Sequence, residues 1–358
     1  MAASTLADVA KLAGVSLATA SRVLNGSTRT PGAAVTKRVQ GAALELGYVA
    51  NAQAQSLARS STGLIGLVVH DIADPYFSTL ARGVQKQAKS AGKMVLLAST
   101  DGSPSDEREA VAAFAARRAE AIVIAGSRSH LPGAEKDNSL LAAEIERYCN
   151  YGGSVSMVGA ALPALLDVAG VRVLKVPNVE QAYALGQALL GLGYKRFLVV
   201  AGPDGLVTSD VRLAGFQSAL ADAGRAAAEV VRVEFSRAGG YAAGLSIAAQ
   251  LGERSAAEAI SEKCIFAVND VMAMGVIAGL LERGLQVPHH IGVAGFDDVE
   301  TLRDFRPSLT TAQLPVEEIG LRASALALGM DDDDPLADVV GRVMLRGSTR
   351  GVDSAHVG

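Results

Sequence analysis

The spacing of apolar residues divides the chain before any other feature does. Over residues 1–50 they recur at helical intervals in three short stretches; from Gly63 onward, compact apolar runs alternate with longer helical patterns. In TLADVAKLAGVSLATASRVLNG, residues 5–26, Leu6, Val9, Ala10 and Ala13 fall on one face of a first helix. Thr5 is placed to cap that helix, and Asp8, three residues later, completes a capping-box pattern. Gly14 ends it. Ser16 is placed to cap a second helix whose inward face is Ala20, Val23 and Leu24, leaving Leu17, Ala18, Ser21 and Arg22 on the other side. A third helix is predicted with Thr30 as cap, Pro31 at its first position, Val35, Val39, Ala42 and Leu46 inward, and Gly47 as its stop. Two helices joined by a short Gly-containing turn form the helix-turn-helix pattern, and three such helices can share one small core.

The remainder reads as α/β. LIGLVV (64–69), MVLLA (94–98), AIVIA (121–125) and VSMV (155–158) are strand-like, with helices such as Tyr76–Ala91 and Ser105–Arg118 between them. A second series follows: FLVVA (197–201), VVRVEF (230–235), CIFAV (264–268) and IGVAG (291–295). Such runs alternating with helices predict parallel sheets covered on both faces, and two series of them predict two doubly wound subdomains. Ligands bind sheets of this kind at the carboxyl ends of the strands, so the loops after those runs are where chemistry belongs.

Length agrees with this division, since 358 residues exceed one ordinary domain. Charge sharpens it. The formal net charge is -4, yet residues 1–60 hold Lys11, Arg22, Arg29, Lys37, Arg38 and Arg59 against only Asp8 and Glu45, a net of +4 that leaves -8 on the rest. A basic head on an acidic body is the asymmetry expected of a chain whose head meets a polyanion. Cys149 and Cys264 lie far apart with no clustered partner, which supports neither a disulfide framework nor a zinc site and fits a reducing, cytoplasmic setting. No secretion signal precedes the first helix, and no apolar run reaches the roughly 18 residues of a membrane span, so no membrane partner is expected. Nothing calls for a cofactor.

A helix of ordinary diameter fits the major groove of DNA, where the side chains of its first turns meet base edges. Arg22 can reach guanine or phosphate, and Leu17 and Ala18 can offer apolar contact to a thymine methyl. The run DVAKLAGVSLATASRVLNG, followed by ELGYVANAQAQSLA, resembles the head of the LacI/GalR family of bacterial transcriptional regulators, and the pattern continues through most of the chain. The resemblance implies a headpiece over 1–50, a hinge helix or linker over 51–61, and an effector-binding and dimerisation body over 62–350 that resembles periplasmic binding proteins, with a tail over 351–358. Within the body, the N-subdomain is expected at about 62–175 and 305–330, and the C-subdomain at about 176–304 and 335–350. It also implies DNA contacts from Thr5, Ser16, Leu17, Ala18, Thr19, Ser21, Arg22 and Asn25 in the head. Asn51, Ala54, Gln55 and Leu57 join them from the hinge, Leu57 as the wedge in the minor groove. Three positions depart from the family pattern: Ala50 stands where proline is usual, Gln55 where arginine is common, and Thr36 where the third helix usually has arginine.

In the body the resemblance implies an effector, a sugar or related metabolite, held between subdomains by Tyr76, Phe77, Arg212, Asn269 and Asp297. The chemistry suits hydroxyl groups: Arg and Asp engage adjacent hydroxyls in a bidentate way, Asn donates and accepts, and an aromatic ring stacks on an apolar sugar face. Asp270 reads equally as a helix N-cap or a ligand group, Asp298 as a loop brace, and Phe77 as cleft wall or core. The segment from Ser127 to Gly153 matches the family poorly and reads as a longer loop with an added helical turn, from which Arg128 or His130 can reach the cleft. Pro177-Asn178 stands where Asp-Asn is usual. His289-His290 and Asp331 to Asp334 read as surface, and the tail lacks the leucine heptads of a tetramer-forming helix.

Together these features predict a homodimeric, effector-controlled transcription factor, most often a repressor, on a pseudo-palindromic operator. The alternative is a solute-binding protein of a transport system, which shares the body but not the basic head. An enzyme is disfavoured: no G-x-G-x-x-G follows a predicted strand, no P-loop lysine motif occurs, and Gly152 to Ser156 fails the nucleophile-elbow pattern at its last position.

Overall fold

A computed structural model describes residues 4–25, 31–49, 62–130, 133–252, 262–330 and 339–351. The chain divides into two compact units between Gly63 and Leu64.

The first unit is built from α1 (Leu6–Ala13), α2 (Leu17–Asn25) and α3 (Ala33–Glu45). Thr5 and Asp8 close the capping box at α1: the Asp8 amide donates to the Thr5 hydroxyl at 3.3 Å and the Thr5 amide to the Asp8 carboxylate at 2.9 Å. That bonding holds the Asp8 carboxyl below its ordinary value. Gly14, at φ 63°, takes the left-handed turn that lets the chain reverse within three residues. Ser16 then accepts the Thr19 amide at 3.1 Å to start α2. Val9, Ala20, Val39, Ala42 and Ala43 are buried together, with Leu6, Val23, Leu24, Val35 and Leu46 packed around them. The start of α3 differs from expectation. It begins at Ala33 with Gly32 as an N-cap of extended ψ, and Pro31 stays outside, its carbonyl accepting the Thr36 hydroxyl at 3.1 Å. The expected cap, Thr30, lies outside the described residues, as do the hinge residues 51–61 and Asp331 to Asp334.

The second unit contains two sheets. The first is five-stranded and wholly parallel: β1 (Leu64–Val69), β2 (Met94–Ser99), β3 (Ala121–Ala125), β4 (Ser154–Val158) and β5 (Val171–Leu174), in the order β2-β1-β3-β4-β5. Helices α4 (Pro75–Ser90), α5 (Pro104–Ala116) and α6 (Ala134–Asn150) make its crossovers. The second sheet holds β6 (Arg196–Ala201), β7 (Glu229–Arg232), β8 (Lys263–Ala267), β9 (Gly292–Asp297), β10 (Thr310–Gln313) and β11 (Arg342–Met344), in the order β11-β10-β9-β8-β6-β7, with only β11 antiparallel. Its helices are α7 (Asn178–Gly191), α8 (Val207–Asp222), α9 (Arg237–Gly252) and α10 (Asp270–Glu282). A last helix, α11 (Val316–Ala327), returns to the first sheet and packs on α4, β3, β4 and β5.

Three expectations change. The segment from Ser127 to Gly153 is a full crossover element whose helix α6 runs 17 residues, not a loop with one extra turn. β7 ends at Arg232 rather than 235, because the chain turns at Ser236 into α9. Residues 310–313 were expected in the N-subdomain with 305–330; they pair in parallel with β9 and belong to the second subdomain. Besides the stretch between α11 and β11, which includes residues outside those described, the chain therefore has two crossovers between the subdomains, at Lys175–Pro177 and at Leu314–Pro315. Both crossovers are Pro-centred inverse γ-turns: Pro177 at φ -76°, ψ 56° with the Asn178 amide on the Val176 carbonyl at 2.7 Å, and Pro315 at φ -79°, ψ 68° with Val316 on Leu314 at 2.9 Å. Pro177 is thus the twin of Pro315.

Two glycines separate backbone approach from open space. A Cβ on Gly83, in α4, would sit 1.9 Å from the Glu317 carbonyl of α11, whereas a Cβ on Gly41, in α3, meets nothing. Gly83→Ala is expected to destabilise the body by about 1–3 kcal/mol despite better helix propensity, seen as a lower urea midpoint. Gly41→Ala is expected to stabilise α3 by about 0.5–1 kcal/mol, seen as slower amide exchange in α3.

Candidate functional site

Both sheets reverse strand order next to their first strand, between β1 and β3 in one and β6 and β8 in the other, and the loops leaving those strands face each other across a cleft. His70 follows β1, Ser127 follows β3, Phe235 follows β7, Asn269 follows β8 and Asp297 ends β9; Tyr76 and Phe77 come from the first turn of α4, Asn178 from α7, and Thr208 and Arg212 from α8.

Arg212 is the centre of the arrangement, with only 3% of its surface exposed. Its Nη2 donates to Asp297 Oδ1 at 2.9 Å, its Nη1 to the Val268 carbonyl at 2.8 Å, and its Nε to Asn178 Oδ1 at 2.8 Å. The guanidinium carbon lies 3.9 Å from the centre of the Phe296 ring, a cation–π contact that supports the flat group from one side. Asp297 has φ 115°, a backbone conformation that L residues rarely adopt, and its carboxylate is held by the pair with Arg212. Burial raises the Asp297 carboxyl more than Arg212 lowers it, and it is pushed up to about 7.

Around this pair the cleft is polar, with no spare cation among the described residues that line it. Asp74 caps α4, accepting the Tyr76 amide at 2.9 Å, and burial raises its carboxyl too. Burial also raises the Tyr76 phenol and lowers the His70 imidazole, which disfavours a charged His70 ring in the cleft. That ring lies against Gly102 and Gly126, where a Cβ would come within 2.8 and 2.5 Å of it. Tyr76 and Phe77 meet edge to face at 5.1 Å, and Phe77 lies 5.7 Å from His70.

Comparison with known proteins adds to this geometry. Residues 5–51 match the family described as bacterial regulatory proteins, lacI family, and residues 187–349 match a periplasmic binding protein-like domain. The chain is 31% identical to the HTH-type transcriptional regulator GalR of Escherichia coli (strain K12) over 338 residues, 94% of this chain and 92% of that one. The chain belongs to the lacI family of bacterial regulatory proteins. Another relative in this family, the HTH-type transcriptional regulator DegA of Bacillus subtilis (strain 168), is 30% identical over 88% of each chain. A crystal structure of the lac repressor dimer bound to operator and the anti-inducer ONPF shares the fold, with TM-score 0.78 and 23% identity over 97% of this chain and 99% of that one.

In this lacI-family chain the five residues expected at the effector site, Tyr76, Phe77, Arg212, Asn269 and Asp297, all line the cleft. Asn269 has a second duty: its Oδ1 accepts the Met272 amide at 2.8 Å and caps α10. Asp270 is neither that cap nor a cleft residue; it receives the Val299 amide at 2.9 Å and the Thr311 hydroxyl at 2.7 Å, tying the end of β9 to β10. Asp298 pairs with Arg346 at 2.6 Å and with Arg303 at 3.4 Å. Sequence reasoning missed His70, Ser127, Thr208 and Phe235 and left Asn178 open; the rule that strand ends carry the site would have reached His70 and Ser127. Arg128 turns away into a buried pair with Glu107, and the backbone amide of His130 bonds to the Gly205 carbonyl. The His290 ring accepts the Gln286 amide at 2.8 Å.

In the head, Leu17 is 54% exposed, and Ala18 and Arg22 are also exposed. Thr19 and Ser21 are half-buried. Ser16 and Thr19 share a hydroxyl contact at 2.8 Å, and Thr5 closes its capping box, so these three hold the helices that display the others. Asn25 ends α2; Asn51, Ala54, Gln55 and Leu57 lie outside the described residues.

The raised Asp297 carboxyl gives a pH test. The unfolded chain releases this proton near 3.8 and the folded protein only near 7, so across that window the folded state binds more protons and stability falls as pH rises. Relative to Asp297→Asn, which keeps the shape and removes the titration, the wild-type melting temperature is expected to decline from pH 5 to pH 7 and level off by about pH 8. A wild-type advantage that grows with pH in calorimetry would contradict this.

Proposed function

We propose that this chain is a sequence-specific transcriptional regulator, a repressor, that binds a pseudo-palindromic operator as a homodimer and is controlled by an uncharged, hydroxyl-rich effector in the cleft. The observation that carries the effector class is the charge balance: Arg212 is satisfied by Asp297, Asn178 and the Val268 carbonyl, Asp74 adds a second carboxyl group, and burial disfavours the charged form of His70. An anionic effector would have no uncompensated cation to meet among the described cleft residues, whereas hydroxyl groups suit carboxylate, amide and guanidinium alike. Tyr76, Phe77 and Phe235 supply aromatic faces for the apolar side of a sugar ring.

The exposed face of α2 supports the DNA reading. Leu17, Ala18 and Arg22 would face base edges, with Thr5, Ser16, Thr19, Ser21 and Asn25 at its rim, and Asn51, Ala54, Gln55 and Leu57 would follow in the minor groove. Two heads on a two-fold axis match two half-sites. The edge strand β2, with Met94 and Leu97 exposed, offers apolar surface to a second copy. The reading places the protein in the cytoplasm as a regulator rather than an enzyme; among the described residues no helix is long and apolar enough to cross a membrane.

Two experiments test it. The affinity of the protein for its own promoter region should fall steeply with salt, and Arg22→Ala should weaken it, reducing the salt slope by about 1 if Arg22 meets phosphate. Binding that ignores salt would contradict the reading. A thermal-shift panel of neutral sugars, sugar phosphates and nucleosides should give its hits among the neutral sugars. Arg212→Lys, which keeps a charge opposite Asp297 but loses the planar fork, should then raise the concentration of that sugar needed for operator release by about tenfold, with operator affinity within about twofold. Hits confined to sugar phosphates would sink the charge argument.

A further inference from the structure

Helix α8 carries Arg212, yet it has no cap of its own. Its N-cap residue, Leu206, offers no side-chain acceptor, so the first amides of the helix need partners from elsewhere. They find them across the cleft. The Val207 amide donates to the Arg128 carbonyl at 2.9 Å and the Thr208 amide to Ser127 Oγ at 3.0 Å, both in the loop after β3 of the other subdomain. In return the His130 amide donates to the Gly205 carbonyl at 2.9 Å, and Ser129 and Leu206 form an antiparallel bridge. Ser127 and Thr208 both line the cleft, so this bridge is part of its wall.

The loop is anchored from behind. The Arg128 side chain, 3% exposed, forms a two-pronged ion pair with Glu107 of α5, 1% exposed, and Asn138 of α6 donates to the Ser129 carbonyl at 2.9 Å. A buried pair of this kind fixes a backbone position at the cost of desolvating two charges, which a loop with no positional duty does not require.

We propose that Ser127 to His130 form a clasp between the subdomains: closing the cleft caps α8 in trans, and Glu107 and Arg128 are positioning residues that hold the clasp where it reaches the helix carrying Arg212. Closure and the orientation of Arg212 are then one event. An effector that favours the closed cleft gains the cap as well as its own contacts, and opening hands the two amides of α8 to solvent. This inference rests on the cleft being the effector site, but the clasp itself can be tested without any effector.

The test is amide hydrogen exchange on the full-length protein. Val207→Pro removes only the donor to Arg128; proline suits the first position of a helix, and Leu206 before it already has the extended conformation that proline demands. Ser127→Ala removes the acceptor for Thr208 and leaves every backbone bond in place. In Val207→Pro the His130 amide is expected to exchange about fivefold faster or more, the effect of losing one cap, and in Ser127→Ala the Thr208 amide likewise, while the interior of α8 stays protected. Arg128→Met should release both subdomains' amides together, and Arg128→Lys, which keeps a charge facing Glu107, should recover part of that protection. Unchanged exchange at His130 and Thr208 in the first two variants would overturn the clasp. Equal loss in Arg128→Met and Arg128→Lys would overturn the positioning role. If D-ribose, cellobiose and the other neutral sugars of the panel all fail to shift the melting temperature, the sugar reading is what fails, and the exchange result still decides the clasp.

Discussion

Arg212 and Asp297 meet where almost no water reaches, as opposite charges once Asp297 has given up its proton, and the surrounding cleft is organised by that encounter. Burying either alone would leave a charge without compensation, a cost of about 3–5 kcal/mol; together they also satisfy Asn178 and the Val268 carbonyl. Four separate stretches of chain are thereby tied to one guanidinium: the end of β9, the crossover at Pro177, the exit of β8, and α8 itself. The pair fixes the charge of the cleft as well as its shape. With Asp297 spent on Arg212, what remains facing the space is hydrogen-bonding capacity without net positive charge, which favours hydroxyl groups over anions.

Much of the fold was legible because buried parallel strands are apolar throughout. β1, β3, β6, β8 and β9 announce themselves as continuous runs, and the caps of α1 and α2 could be named to the residue. β5, β10 and β11 could not. β10 reads TTAQ, yet Thr310 and Thr311 are fully buried, their hydroxyls engaged by the Arg346 carbonyl and by Asp270. Polar residues hidden by long-range partners leave no periodic trace, and that is also why the second subdomain was drawn too short at 305. The start of α3 was misplaced for a local reason: Gly32 can cap, so Pro31 was free to remain outside the helix.

The site divided along the same line. The charged residues Arg212 and Asp297 could be named from the family pattern, although only Asp297 ends a strand and Arg212 lies in the second turn of α8. His70, Phe235, Ser127 and Thr208 could not, because each is ordinary in its own loop and acquires meaning only when two sheets bring the loops together. Asn269 and Asp270 show how fine the margin is. A one-residue difference in where α10 begins decides which side chain caps the helix and which braces the neighbouring strand.

The account stands on the cleft and the head being linked in one regulator, and linkage is reciprocal: the factor by which effector changes operator affinity must equal the factor by which operator changes effector affinity. The most direct measurement is a calorimetric square on the full-length protein, titrating operator with and without the sugar identified by thermal shift, and that sugar with and without operator. The account predicts two equal factors, of about fivefold or more. Saturable binding of the sugar in the cleft with operator affinity unchanged would contradict it.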